Sequence, residues 1–126
     1  MKQVLFVFLG GGLGSLARFL VTKLYSKKIT VFPYATLTAN FLSCLVMGVF
    51  LGFIIHKTNL NDNLKLFIIT GFCGGFSTFS SFTLENINLY KAGQFNLAII
   101  NILLNLILCT VGILVGMYIS KFKILQ

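Results

Sequence analysis

Tryptophan is absent from this chain, and Pro33 is its one proline. It has two acidic residues, one histidine and three cysteines among 126 residues. Each scarcity excludes something. With only Asp62 and Glu85 as acids, the apolar segments hold no paired carboxylates for acid–base work and no nucleophile beside a base, so an enzyme is the least favoured reading. His56 stands by itself at the end of an apolar segment, which leaves no histidine cluster for a metal. Cys44, Cys73 and Cys109 fall inside apolar segments without metal-ligand spacing and are expected as buried free thiols with no redox role.

What is abundant is apolar. The chain is 57% hydrophobic and only 10% charged. A membrane-spanning helix needs roughly 20 apolar residues. Four such segments, about 4–25, 33–55, 64–90 and 95–119, consume nearly all of it. The expected fold is all-α: a single four-helix membrane domain over 1–126, with no soluble catalytic or nucleic-acid-binding part. The formal charge of +8 is therefore not a nucleic-acid footprint. The lysines stand at segment ends, where they reach headgroups. Lys2 followed by an apolar run resembles a secretion signal, but the run continues through Leu24 and reads as a retained first helix.

Segment three contains the most unusual stretch, Gly71 through Phe82. Gly74-Gly75 weakens a helix there, and Ser77, Thr78, Ser80 and Ser81 compete for its backbone. A break at membrane depth must direct its unpaired groups to buried protein, an ion or water. Phe76, Phe79 and Phe82 recur every third residue with hydroxyls between them, which suggests ring edges and hydroxyl donors on one pore wall. The alternative is a glycine-packed helix with phenylalanines facing lipid.

The other segments add single polar groups. Segment one has Gly10, Gly11, Gly12 and Gly14 as a small-residue face, and Arg18 as either a functional charge or a snorkelling one. Pro33 opens segment two, which carries Thr36, Thr38, Asn40 and Ser43. Asn40 needs a partner in hydrocarbon, and an interhelical hydrogen bond would suffice. Glu85 is read as solvated at the headgroups or paired with Arg18 or a lysine. Asn101, Asn105 and Cys109 stand four apart on one face of segment four, as a polar track or a helix interface. Gly112 and Gly116 form a packing pair.

Loops on the N-terminal side carry Lys2, Lys57, Lys65, Lys121 and Lys123; the other side carries Lys23, Lys27, Lys28 and Lys91. So even a balance fixes no orientation. A protein that inserts both ways, and pairs with its inverted copy, would show it.

With these stretches in view, the chain resembles the Fluc (CrcB-type) fluoride channels. The likeness lies in Gly11-Gly12-Leu13-Gly14-Ser15-Leu16-Ala17-Arg18-Phe19, in Pro33 through Asn40, in Asn40 through Gly48, and above all in Gly71 through Phe82. It covers essentially the whole chain. Ala35 and Ser43 stand where the family commonly has glycine, and Ser77 and Ser81 replace frequent threonines. Asn101 and Asn105 replace tyrosine or serine.

The resemblance implies an antiparallel, dual-topology homodimer in the inner (plasma) membrane, bearing two fluoride pores and exporting fluoride passively. It implies ring edges of Phe79 and Phe82 at the anion, hydrogen bonds from Asn40, Ser80 and Ser81, and Arg18 near a vestibule. Thr36, Asn101 and Asn105 are further candidates for pore or vestibule. It also implies a structural sodium ion at the dimer centre, held by the backbone carbonyls of Gly74 and Ser77 and their inverted equivalents. Fluoride, the inverted copy and membrane lipid are the expected partners, and no nucleic acid. The rival readings are a dual-topology proton-coupled exporter, similar to the small multidrug transporters, and a noncatalytic membrane assembly subunit. The first needs an embedded carboxylate, and segment one has none. The second needs packing glycines but no hydroxyl run beside Phe79 and Phe82.

Overall fold

A computed structural model describes residues 1–26, 30–56 and 61–124. These form helices α1 (Lys2–Tyr25) and α2 (Tyr34–His56), a composite α3 spanning 62–76, α4 (Phe79–Lys91) and α5 (Phe95–Ile124). The described residues contain no strand. Four spans are long and apolar enough to cross a membrane: α1, α2, α3 with α4, and α5. At about 1.5 Å per residue, the 24 residues of α1 reach across a hydrocarbon core of roughly 30 Å. Leu5, Phe8, Leu13, Leu16 and Leu20 of α1 are exposed on the single chain. In water such a face would be a liability; in a bilayer it is the solvent-facing side.

Glycines set which helices touch. A Cβ on Gly10 or Gly14 would collide with the carbonyl of Phe67 or Phe72, and one on Gly75 with that of Gly11, so α1 and α3 lie backbone to backbone. The same contact joins α2 to α5, where Gly48 faces the Ile113 backbone and Gly116 faces that of Leu45 and Val49. Such close approach is how helices gain dispersion energy when lipid offers no hydrophobic contrast. Gly12 takes no part, for space is open at its Cβ position. The α1 end is tied to α2 by Tyr25, whose hydroxyl lies 3.0 Å from that of Thr38.

The third span is interrupted, but not where its glycines stand. Within α3 the residues Leu66–Cys73 wind as a wide π-helix, and the Gly74 N–H reaches back to the Ile69 carbonyl. Gly74-Gly75 remain helical in Gly74–Phe76. The chain turns extended at Ser77 (φ −74, ψ 158) and Thr78 (φ −149, ψ 114). The break expected within this glycine and hydroxyl stretch thus falls at its hydroxyls, three residues past the glycines. Gly75 is small because α1 presses on it, and the hydroxyl residues make the break. Ser77 bonds back to the Cys73 carbonyl with both its N–H (3.0 Å) and its Oγ (2.9 Å). Thr78 caps α4 by accepting from the Ser81 N–H at 3.2 Å. Ser43 adds a third bond to the Cys73 carbonyl, at 2.8 Å.

One smaller expectation shifts. Pro33 precedes α2 as its cap rather than opening it, its carbonyl accepting from Leu37. The Lys91–Gln94 turn is short as expected, and Gly93 supplies its positive φ of 74°. Of the lysines weighed for orientation, Lys27, Lys28 and Lys57 lie outside the described residues, and so do the side chains of His56 and Lys123.

Candidate functional site

Five carboxamide and amide groups connect through the middle of the bundle. The Thr78 N–H, freed by the break, donates to Asn40 Oδ1 on α2 at 2.8 Å. Asn40 Nδ2 donates to Asn105 Oδ1 on α5 at 3.0 Å. Asn105 Nδ2 donates to Asn101 at 3.0 Å, to both its side-chain and main-chain oxygens. Asn101 Nδ2 reaches Asn86 Oδ1 on α4 at 3.1 Å, and Asn86 Nδ2 closes on the Phe82 carbonyl at 2.7 Å. Every link runs the same way, nitrogen to oxygen, so each bond polarises the next. A backbone N–H can bond only to a carboxamide oxygen, and that fixes which way Asn40 points. Of its two N–H groups, one meets Asn105.

These groups belong inside. Asn101 is fully enclosed, and Asn40 and Asn105 are buried. The two readings left open for Asn101 and Asn105 therefore merge: the polar face of α5 is also its interface with α2 and α4.

Beside the ladder lies a cavity of about 250 Å³ lined by Asn40, Phe79, Phe82, Asn105 and Cys109. The rings of Phe79 and Phe82 sit 5.7 Å apart, tilted by 42°. Phe79 is 80% exposed on the single chain. Phe76 is no partner to them: it lies before the break, is buried, and meets Phe72 edge-on at 5.6 Å.

The hydroxyls face elsewhere. A second cavity, about 380 Å³, is lined by Ser15, Arg18, Thr22, Thr36, Thr78, Ser81 and Glu85. The cap Thr78 lines up with residues 81 and 85 on one face of α4, while 79 and 82 share another. The structure thus parts the ring edges from the hydroxyl donors that the sequence pattern had placed on one wall. Thr78 bridges the two sides: its N–H serves the ladder, and its hydroxyl lies 3.1 Å from Ser81 and 3.3 Å from Ser80. Ser80 itself is exposed.

Arg18 points to the break rather than to headgroups, donating to the Ser77 carbonyl at 3.3 Å. Thr36 donates to Glu85 Oε1 at 2.5 Å, and Glu85 Oε2 is enclosed without a partner among the described residues. Among the described residues Glu85 meets no cation, and it is half-buried rather than solvated at the surface; the one ion pair among them joins Lys65 to Asp62. Gly74 is exposed on the single chain. In a continuous helix the Thr78 amide would bond the Gly74 carbonyl, and here it bonds Asn40 instead.

Sequence reasoning overlooked Asn86, and it counted Thr78 for its hydroxyl but not for its main-chain N–H. The spacing from Phe82 to Asn86, one turn along a helix, was the available signal for Asn86. Nothing in the sequence links it to Asn101. Chemically, the arrangement offers neutral N–H donors, ring edges and hydroxyls, with one guanidinium at the second cavity. Such groups can replace the water around a small anion without trapping it.

Comparison with known proteins gives consistent matches. Residues 5–117 match the family described as CrcB-like protein, Camphor Resistance (CrcB). The chain is 41% identical over 123 residues to the fluoride-specific ion channel FluC of Azobacteroides pseudotrichonymphae genomovar. CFP2, covering 97% of this chain and 98% of that one. It is 41% identical over 122 residues to FluC of Flavobacterium psychrophilum, covering 96% and 98%. Against FluC of Escherichia coli K12 it is 37% identical over 107 residues, covering 85% and 84%.

Proposed function

This chain belongs to the CrcB-like family, and on that premise we propose that it is a fluoride-specific ion channel, a multi-pass protein of the cell membrane that lets fluoride leave the cell passively. It is a transport protein and not an enzyme. The observation that carries the reading is the asparagine ladder ending beside Phe79 and Phe82. It holds the Asn40 carboxamide with its oxygen occupied by Thr78 and its nitrogen toward Asn105 and the cavity. Fluoride sheds water only where donors replace it. Asn40 offers a neutral N–H, and the phenyl edges carry the positive part of the ring quadrupole. The larger cavity, with Arg18, Thr36 and Ser81, is the vestibule that gathers the anion before the narrow cavity.

The working unit in this reading is an inverted homodimer with two pores. The even lysine distribution supports it, as does Phe79: a large ring so exposed beside a polar cavity is suited to a covering partner. A sodium ion at the dimer centre fits the residues at the break. The Gly74 carbonyl has lost the Thr78 amide, Ser77 ends its helix, and a hard cation takes oxygen ligands. Bound there, sodium would satisfy the Gly74 carbonyl, which hydrocarbon cannot, and would share the Ser77 carbonyl with Arg18.

The test is fluoride efflux from liposomes holding the purified protein, followed with a fluoride electrode. Passive, fluoride-selective efflux is expected. Efflux that needs a proton gradient would favour the exporter reading, with Glu85 as the coupling acid. Chloride passing as readily as fluoride would also overturn the proposal.

A further inference from the structure

The α2–α5 seam carries three successive rungs, one helical turn apart on each helix. Asn40 bonds Asn105 at 3.0 Å, and Gly48 presses against the Ile113 backbone. Between them stand Cys44 and Cys109, one turn on from Asn40 and Asn105 and one turn short of Gly48 and Ile113, so that the two positions face each other across the seam. The rungs on either side hold both backbones, so the two thiols cannot drift apart. Both are free and partly exposed, and Cys109 lines the cavity with Asn40, Phe79 and Phe82. The third cysteine, Cys73, is fully enclosed.

No group of three metal-binding side chains occurs among the described residues. Metals that want three or four protein ligands therefore lack a set here. Soft cations that bind thiolate sulfur in linear pairs need only two. We propose that Cys44 and Cys109 form a two-thiolate site for a soft, two-coordinate cation of the mercuric or cuprous class, on the wall of the anion cavity. In loading, two S–H bonds break, two S–metal bonds form and two protons leave to water; nothing is oxidised or reduced. The bridge clamps α2 to α5 beside Asn105 and closes the cavity to fluoride. The metal site stands apart from the conduction reading, and only the block rests on it.

Mercuric nitrate is the probe, added to the purified full-length protein and to its liposomes. One equivalent of Hg²⁺ should remove two of the three free thiols in the unaltered protein and in no variant lacking either partner. Cys44→Ala and Cys109→Ala should each lose one thiol per metal, while Cys73→Ala should still lose two. Fluoride efflux should stop in the unaltered protein and in Cys73→Ala, resist a glutathione wash, and return with a dithiol chelator. In Cys44→Ala and Cys109→Ala, glutathione should return efflux to each variant's own rate before mercury, because a single thiolate cannot hold the metal against a competing thiol. Cys44→Ser and Cys109→Ser serve where an alanine variant elutes abnormally from a sizing column. One thiol lost per metal in the unaltered protein, or two lost in Cys109→Ala, overturns the site. Two thiols lost with efflux intact keeps the site and overturns the block. Unaltered protein that never passes fluoride refutes the channel reading, while the thiol count still decides the site.

Discussion

Replacing Asn40 with alanine removes one side chain and strands two groups. The Thr78 N–H loses its acceptor at 2.8 Å, and Asn105 Oδ1 loses its donor at 3.0 Å. Both lie in buried surroundings. In a water-soluble protein each buried orphan costs about 1–3 kcal/mol. In a membrane the unfolded reference also finds partners, and a side-chain bond is worth nearer 0.6 kcal/mol, up to about 1.7. Two such losses give about 1–3 kcal/mol of destabilisation, so folded protein should remain. Efflux should nevertheless fall to background, because the freed Thr78 amide no longer sets the α4 start and alanine offers the anion no N–H. Asn40→Asp separates the two effects. Its carboxylate still accepts from Thr78, but it cannot donate to Asn105 and it repels an anion. It should hold α4 in place and pass no fluoride. The assay pairs an unfolding titration in detergent with liposome efflux, both on protein that elutes normally from a sizing column. Asn40→Ala with full efflux would refute the ladder as the carrier of conduction; unchanged stability would refute the hydrogen bonds as drawn.

Further outcomes follow from the same geometry. Phe79→Ile and Phe82→Ile keep apolar bulk but lose the ring edge; for packing residues such swaps cost less than about 1.5 kcal/mol, so efflux lost from folded protein would identify anion contacts and full efflux would refute them. Phe76→Ile should instead act on stability, since Phe76 is buried against Phe72, and efflux per folded protein should persist. Gly75→Ala puts a methyl into the Gly11 carbonyl, where neither backbone can yield cheaply; about 1–3 kcal/mol of overpacking cost is expected, read as a lowered unfolding midpoint. Several lysines added after Lys123 should bias insertion, so that labelling of intact cells finds the C-terminus on one side and efflux needs an oppositely biased copy; activity from the biased copy alone would contradict the inverted pair.

The sequence by itself determined the membrane setting and the four spans. Long apolar runs with charges at their ends have one stable solution in a bilayer, and that needs no tertiary information. The need for a break in the third span was also legible, from hydroxyls and glycines crowded into Gly71 through Phe82. Its position was not. Gly74-Gly75 is the weakest helix former in isolation, yet packing against Gly11 keeps it helical, and the break falls at Ser77-Thr78, where side chains can take over the backbone bonds. Asn40, Asn101 and Asn105 were visible as polar groups needing partners. That they join one another, and recruit Asn86 and the Thr78 amide, depends on how α2, α4 and α5 face each other. So does the separation of Phe79 and Phe82 from Ser81, which one face of a pattern cannot express. Cys44 and Cys109 show the limit most plainly: far apart in sequence and without ligand spacing, they meet because glycines on two helices bring the backbones together. Local composition decides which residues must be buried or broken; only packing decides what they meet.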